Sequence, residues 1–211
     1  RDCREFIKRY NEIDNFNIYG NERYIYQYIS EKYPEVEVKF DTEKIKLTTI
    51  DIEVASENGF PDVESCAEEV LLITLQDYAT KQIRTWGRGT FNNKQENVIY
   101  KGFNTEYELL TDFIHWWMIE DNTPEVITGW NSKLYDIPYL CRRIDRILGE
   151  KLKKRMSPWG LVTEEETYIS GRKHLSYDIG GVSQLDYLDL YKKFTYKAQE
   201  SYRLDYIASV E

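Results

Sequence analysis

Cysteine is scarce: the 211 residues contain three, Cys3, Cys66 and Cys141, an odd number, far apart and in no metal-binding or redox spacing. That excludes a disulfide scaffold and a cysteine-held zinc site, and it favours a reducing compartment with the thiols packed as small hydrophobes. Long apolar runs are missing too. No stretch approaches the roughly 18 to 20 residues that a membrane-spanning helix needs, and no secretory signal pattern is legible. Neither of the two histidines has neighbours that suggest a nucleophilic triad. The lack of a glycine-rich phosphate loop removes a nucleotide-hydrolase reading. A surplus of positive charge is also absent: the formal net charge is −9, which argues against a protein that coats duplex DNA by electrostatics alone. An enzyme that meets nucleic acid through metal ions remains open.

What is present is the composition of an ordinary globular chain, 41% hydrophobic and 31% charged, long enough for one domain, or for a main domain with a smaller piece. Residues 1–40 are polar and rich in tyrosine, with helices expected from Cys3 to Tyr10 and from Arg23 to Lys32, ahead of Pro34. This stretch is too short for a core of its own. Strand-like runs follow at Ile45–Val54, Val70–Tyr78 and Gln82–Trp86, separated by turn-rich segments containing Gly59-Phe60-Pro61 and Gly87-Arg88-Gly89. They read as an antiparallel meander. Thr105 and Glu108 form a capping box ahead of Leu109, Leu110, Phe113, Ile114, Trp116 and Trp117, an apolar helical face that should lie across the sheet. Val126-Ile127-Thr128 reads as a short strand entering Gly129-Trp130-Asn131, and Pro138 suits the first turn of a helix reaching Gly149. The order is α/β with a mixed sheet, without repeats or low-complexity tracts. The chain starts with Arg and ends without a helix stop signal, so an excised piece of a longer protein is expected.

The stretch TTIDIEVASENGFPD, residues 48–62, carries Asp51 and Glu53 two apart on a strand, hence on one face. Side by side they repel, and burial would add several kcal/mol, so they need a cation or wide exposure. Farther on, Gly129-Trp130-Asn131-Ser132-Lys133-Leu134-Tyr135-Asp136 has the spacing N-x-x-x-[FY]-D. Together the two stretches resemble the first two exonuclease motifs of family B DNA polymerases, above all the replicative polymerases of large tailed phages. The resemblance continues through Gly59-Phe60-Pro61, Ser157-Pro158, Leu185–Phe194 and Ser201–Ile207, and so covers nearly the whole chain from about Asp2. A lone D-x-E is a weak signal; the ordered series is a strong one.

The resemblance implies a ribonuclease-H-like exonuclease fold, an α/β mixed central sheet with flanking helices. It assigns residues 1–40 to a remnant of the polymerase N-terminal domain and residues 41–211 to the 3′-5′ exonuclease domain, truncated before its third motif. Carried over, Asp51 bridges two metal ions, Glu53 binds one and orients the attacking water, and Asp136 completes the site from the start of its helix. Two divalent ions about 3.5 to 4 Å apart stabilise the attacking and leaving oxygens of a phosphodiester. Mg²⁺ or Mn²⁺, which take oxygen ligands, are the expected ions. Asn131 helps hold the terminal nucleotide, Phe60 wedges against bases near the 3′ end, and Tyr135 is a further DNA-binding candidate. The implied activity is proofreading removal of mononucleotides from single-stranded 3′ ends. Implied partners are primer–template DNA, the polymerase domain of the same full-length chain and a sliding clamp, in the cytoplasm of an infected bacterial host. No palm or fingers motif lies in these residues, so polymerase activity comes from the family alone. The third motif, Tyr-x-x-x-Asp, is expected beyond the chain: Tyr187 and Asp189 belong to a matched strand segment, and Tyr202 and Asp205 have the wrong spacing. Three of four carboxylates imply weak metal binding and low or absent activity for the piece alone.

Two other functions compete, a docking module for nucleic acid with a vestigial nuclease site and an independent cellular exonuclease of the same fold. Intact clustered carboxylates favour an enzyme over the first, and the segments after Gly181 argue against the second. Residues 163–174 suggest a hairpin centred on Ser170-Gly171, which the resemblance links to separating primer from template; a plain mobile loop is the alternative. The basic run Arg142–Arg155 could track a phosphate backbone or be a solvated helix face and turn. Trp116 and Trp117 are expected in the core, His115 in a structural place beside them, and His174 in solvent.

Overall fold

Two short helices open the chain, Asp2–Tyr10 (α1) and Tyr24–Lys32 (α2), where the sequence predicts them. The computed structural model describes residues 2–10, 13–14, 16, 24–34, 41, 44–57, 59–169 and 171–211. It divides into two compact units, residues 1–41 and 42–211.

In the larger unit, Leu47–Val54 (β1) sets the pattern: Ile50 and Ile52 are buried in the core, while Asp51 and Glu53 face solvent. Exposure thus eases the repulsion between the paired charges without abolishing it. β1 pairs antiparallel with Val70–Asp77 (β2), which pairs antiparallel with Ile83–Arg88 (β3). Gly87 and Arg88, expected in a turn, lie inside β3. A strand the sequence did not announce, Val98–Phe103 (β4), joins β3 in parallel at the sheet edge. Glu106–Trp117 (α3) starts at Thr105 with the predicted capping box: the Thr105 side chain accepts from the Glu108 N–H, and Glu108 accepts from the Thr105 N–H. Its apolar side, Leu109, Leu110, Phe113, Ile114 and Trp117, is fully buried, with Trp86 packed edge-on against Phe113 and Trp116. Burying a large apolar side chain stabilises by about 1.5–3 kcal/mol, so this stripe fixes α3 across the sheet. His115 is the exception to the expectation. It points to solvent from the last turn.

Val126–Gly129 (β5) runs parallel to β1 on the side away from β2, and Ser183–Asp186 (β8) runs parallel to β5. The resulting sheet has six strands in the order β4-β3-β2-β1-β5-β8. Asp136–Leu148 (α4) follows β5, stops at Gly149 as predicted, and is succeeded by a short turn of helix, Glu150–Lys153 (α5). The hairpin expected around residue 171 is present: Val162–Ile169 (β6) pairs with Arg172–Ile179 (β7), closed by a turn containing Gly171 at φ 77°. Leu175, Tyr177 and Ile179 bury its base, and Tyr168 near its tip is exposed. His174, expected in solvent, is half-buried. Residues 187–194, expected as strand, form a helix, Tyr187–Phe194 (α6), because the Asp186 side chain caps it by accepting from the Leu188 N–H. A last helix, Leu204–Val210 (α7), packs Ile207 inward.

The basic run divides: Lys151, Lys154 and Arg155 lie on a solvated face, while Arg142, Arg143, Arg146 and Lys153 turn to partners within the chain. Arg143 is buried against Glu106 and also donates to the carbonyls of Cys66 and Ala67. Arg146 donates to the Cys66 carbonyl at 3.0 Å, Arg142 donates to the Glu64 carbonyl and Glu164, and Lys153 pairs with Asp145 at 2.6 Å. The three arginines take up carbonyls of the loop between β1 and β2. Cys66 and Cys141 are free and buried, as expected, and the thiol of Cys3 lies outside the described residues. No helix among the described residues is long and apolar enough to cross a membrane.

Candidate active site

Unequal strand lengths create the site. The β1–β5 ladder ends at Thr49 and Thr128, so β1 continues past β5 with no strand beside it on that side. The Ile52 N–H in the overhang is taken up by the Asp136 carboxylate, whose Oδ1 accepts it at 2.9 Å. One hydrogen bond thus joins the first residue of α4 to the residue between Asp51 and Glu53. The carboxyl ends of neighbouring parallel strands are where open α/β sheets gather ligands, and the ends of β5 and β8 converge here on the middle of β1.

Close approach of the backbone is enforced at Gly129. A Cβ there would stand 2.6 Å from the Ile50 carbonyl oxygen and 2.8 Å from the Ser132 Cβ. Only glycine lets β5 turn away so near to β1. Asn131 follows at φ 62°, a left-handed conformation that asparagine tolerates better than most residues. Its carbonyl accepts from the N–H groups of Leu134 and Tyr135, which leads the chain into α4.

The aromatic candidates meet at the same place. Phe60 is 86% exposed at the tip of its turn, and its ring lies 5.4 Å from that of Tyr135, itself 5.8 Å from Tyr139. Gly59, at φ 102°, makes the turn that presents Phe60.

Electrostatics concentrate negative charge. Burial pushes the Asp136 carboxyl up to about 7, with the Asp51 and Asp186 charges adding to the rise and the Ile52 N–H opposing it. Asp51 is likewise raised, by burial and then by Glu53. Tyr135 is pushed up to about 12 by burial and by Asp136 and Glu53. The charges acting on Asp51 and Asp136 are thus themselves carboxylates. All-oxygen donors under mutual repulsion suit a hard divalent cation. Among the described residues, however, no three Asp, Glu, His or Cys side chains stand as a ready-made metal site. The donor set fits such an ion in chemistry.

One residue at this site carries no role in the sequence reading. Asp186 is buried and accepts from the N–H groups of Asn131 at 3.1 Å and Lys133 at 3.0 Å. Its helix-capping part was legible, since an Asp ahead of Leu188 and Tyr191 is a helix-start signal. Its hold on a turn far upstream was not.

Comparison with known proteins gives the family. Residues 7–207 match the family described as DNA polymerase family B, exonuclease domain. The DNA-directed DNA polymerase of Escherichia phage RB69 is 32% identical over an alignment of 238 residues that takes in all of this chain and 26% of that protein. The DNA-directed DNA polymerase of Enterobacteria phage T4 is 32% identical over 237 residues, again across the whole chain and 26% of the relative. The DNA polymerase catalytic subunit of human herpesvirus 6B is 32% identical over 172 residues, covering 77% of this chain and 17% of that protein. The chain therefore spans about a quarter of the length of its phage relatives.

Proposed function

The chain belongs to the exonuclease domain of the family B DNA polymerases, and on that premise we propose that it serves proofreading, removing mononucleotides from single-stranded 3′ DNA ends by two-metal-ion hydrolysis. Exonuclease domains of this family are generally metal-dependent. Asp51, Glu53 and Asp136 are the residues that would hold Mg²⁺ or Mn²⁺, which when bound supplies an activated water and charge stabilisation at the attacking and leaving oxygens. The observation that carries the reading is the Ile52 N–H bond to Asp136, because it ties the ligand on α4 to the strand bearing the other two.

The remaining parts act on the nucleic acid. Phe60, exposed and backed by Tyr135, offers a face for a base near the 3′ end, and contacts of that kind are worth roughly 1 to 3 kcal/mol. Asn131, on the turn between β5 and α4, is placed to bind the terminal nucleotide. Glu53 orients the water. In the full-length protein we place residues 1–40 in the N-terminal domain and residues 41–211 in the exonuclease domain, with a polymerase domain and a sliding clamp as partners on primer–template DNA in the cytoplasm of an infected bacterium.

The test is release of labelled nucleotide from a single-stranded 3′ end with Mg²⁺ or Mn²⁺. It is run on this chain and on one continued by about 100 residues, near domain size, beside Asp51→Ala in each. Digestion that needs the ion and vanishes with Asp51→Ala is the expected result, strong in the longer chain and weak in the shorter. A folded longer chain that binds DNA without digesting it would overturn the enzyme in favour of a docking module.

A further inference from the structure

Asp186 ends β8 opposite Gly129 in the ladder and is 6% exposed. Its carboxylate is consumed by backbone: Oδ1 accepts from Asn131 at 3.1 Å and from Leu188 at 2.9 Å, and Oδ2 accepts from Lys133 at 3.0 Å. The Leu188 bond caps α6, and a helix cap needs only one oxygen, which Ser, Thr or Asn supplies as well. The other two bonds reach 55 and 53 residues back to the turn between β5 and α4. A buried carboxylate is a costly choice for capping alone. Two oxygens accepting together from a turn are something only a carboxylate offers.

The turn needs such a hold. Asn131 sits at φ 62°, and of its two bonding partners inside the turn both use its carbonyl, leaving its N–H to Asp186. We infer that Asp186 is a positioning residue of the exonuclease site: by gripping the Asn131 and Lys133 N–H groups it fixes the turn from which the Asn131 side chain meets the terminal nucleotide. The inference rests on the exonuclease reading above and adds a residue to it.

Asp186→Ser separates the two duties, because a serine hydroxyl still caps α6 while being too short to grip the turn. In the longer, active chain the variant folds, keeps the Leu188 amide protected from hydrogen exchange, and exchanges the Asn131 and Lys133 amides about tenfold faster or more, as loss of a charged acceptor predicts. Its KM for a single-stranded oligonucleotide rises about tenfold with kcat little changed, the signature of lost uniform binding. Asn131→Ala shows the same split, and the double variant is no worse than either single one, because both remove the same contact. Unchanged exchange at Asn131, an unchanged KM, or effects that multiply in the double variant would each overturn the inference while leaving the enzyme standing. An unmutated chain that digests nothing brings down the exonuclease reading instead, and the inference with it. If Asp186→Ser does not fold, Asp186→Asn carries the same measurements: it keeps the side-chain size, and its amide turns a donor toward one of the gripped N–H groups.

Discussion

A carboxyl group at the seam between a helix and a strand overhang titrates unlike one on the surface. Asp136 is raised to about 7 from 3.8 by burial first, with Asp51 and Asp186 adding to the rise. Between those two values the folded chain binds more protons than the unfolded one, so the contribution of Asp136 to stability is present at acid pH and is lost as pH rises from about 4 to about 7. Asp136→Asn removes that loss. Urea unfolding in chelator should find the variant more stable than the unmutated chain at pH 8, by on the order of 4 kcal/mol at most, and no more stable at pH 4. Adding Mn²⁺ at pH 8 should narrow the gap, because only the unmutated chain gains a ligand for the ion.

At the scale of elements, close approach decides which glycines matter. Gly129→Ala drives a Cβ into the Ile50 carbonyl and the Ser132 Cβ, neither of which can swing aside. Gly87→Ala meets the Tyr100 hydroxyl and a Leu72 methyl, the far ends of side chains that can. Overpacking typically costs about 1–3 kcal/mol. Chemical denaturation should place Gly129→Ala at or above the top of that range and Gly87→Ala below its middle, with unchanged m values. Which elements the sequence announced follows a similar logic. β1, α3 and α4 were legible because each carries its own periodicity and its own start or stop: the alternation around Ile50, the Thr105 cap, Gly149. β4 was not, since Val98–Phe103 is an edge strand in which half-buried Val98 and Tyr100 alternate with an exposed Ile99 and Lys101 before Gly102, so apolar residues mark both faces. Residues 185–191 fit both a period of two and a helix. The Asp186 cap on Leu188 settles the matter, through a bond invisible to periodicity. The candidate carboxylates and aromatics came from motif spacing and the family resemblance it carries, whereas the grip of Asp186 on Asn131 spans 55 residues of chain. The arginines of α4 were noticed, but their partners were not, because those are backbone carbonyls some distance upstream.

For the whole molecule, charge bears on the proposed meeting with DNA. The net charge is −9, and Arg142, Arg143, Arg146 and Lys153 are engaged within the chain. The excess of carboxylates leaves little net attraction for a phosphate backbone. At fixed Mn²⁺, affinity for single-stranded DNA measured by fluorescence anisotropy should fall by less than about tenfold between 50 and 200 mM salt, where a protein with 6–10 phosphate contacts loses roughly 10³–10⁵. Withdrawing the divalent ion should cost far more than the salt does. The overhang of β1 beyond β5 supplies a gauge for that ion. The Ile52 amide lies between Asp51 and Glu53 along the chain and binds Asp136 in space, so its proton resonance follows the charge on all three. Acid should move it with a midpoint near the value of about 7 to which burial raises Asp136, and the proposed divalent ion should move it at neutral pH, with no substrate and no turnover. A variant that has lost its ion and one that has kept the ion but lost its hold on DNA thereby give different spectra of the same nucleus.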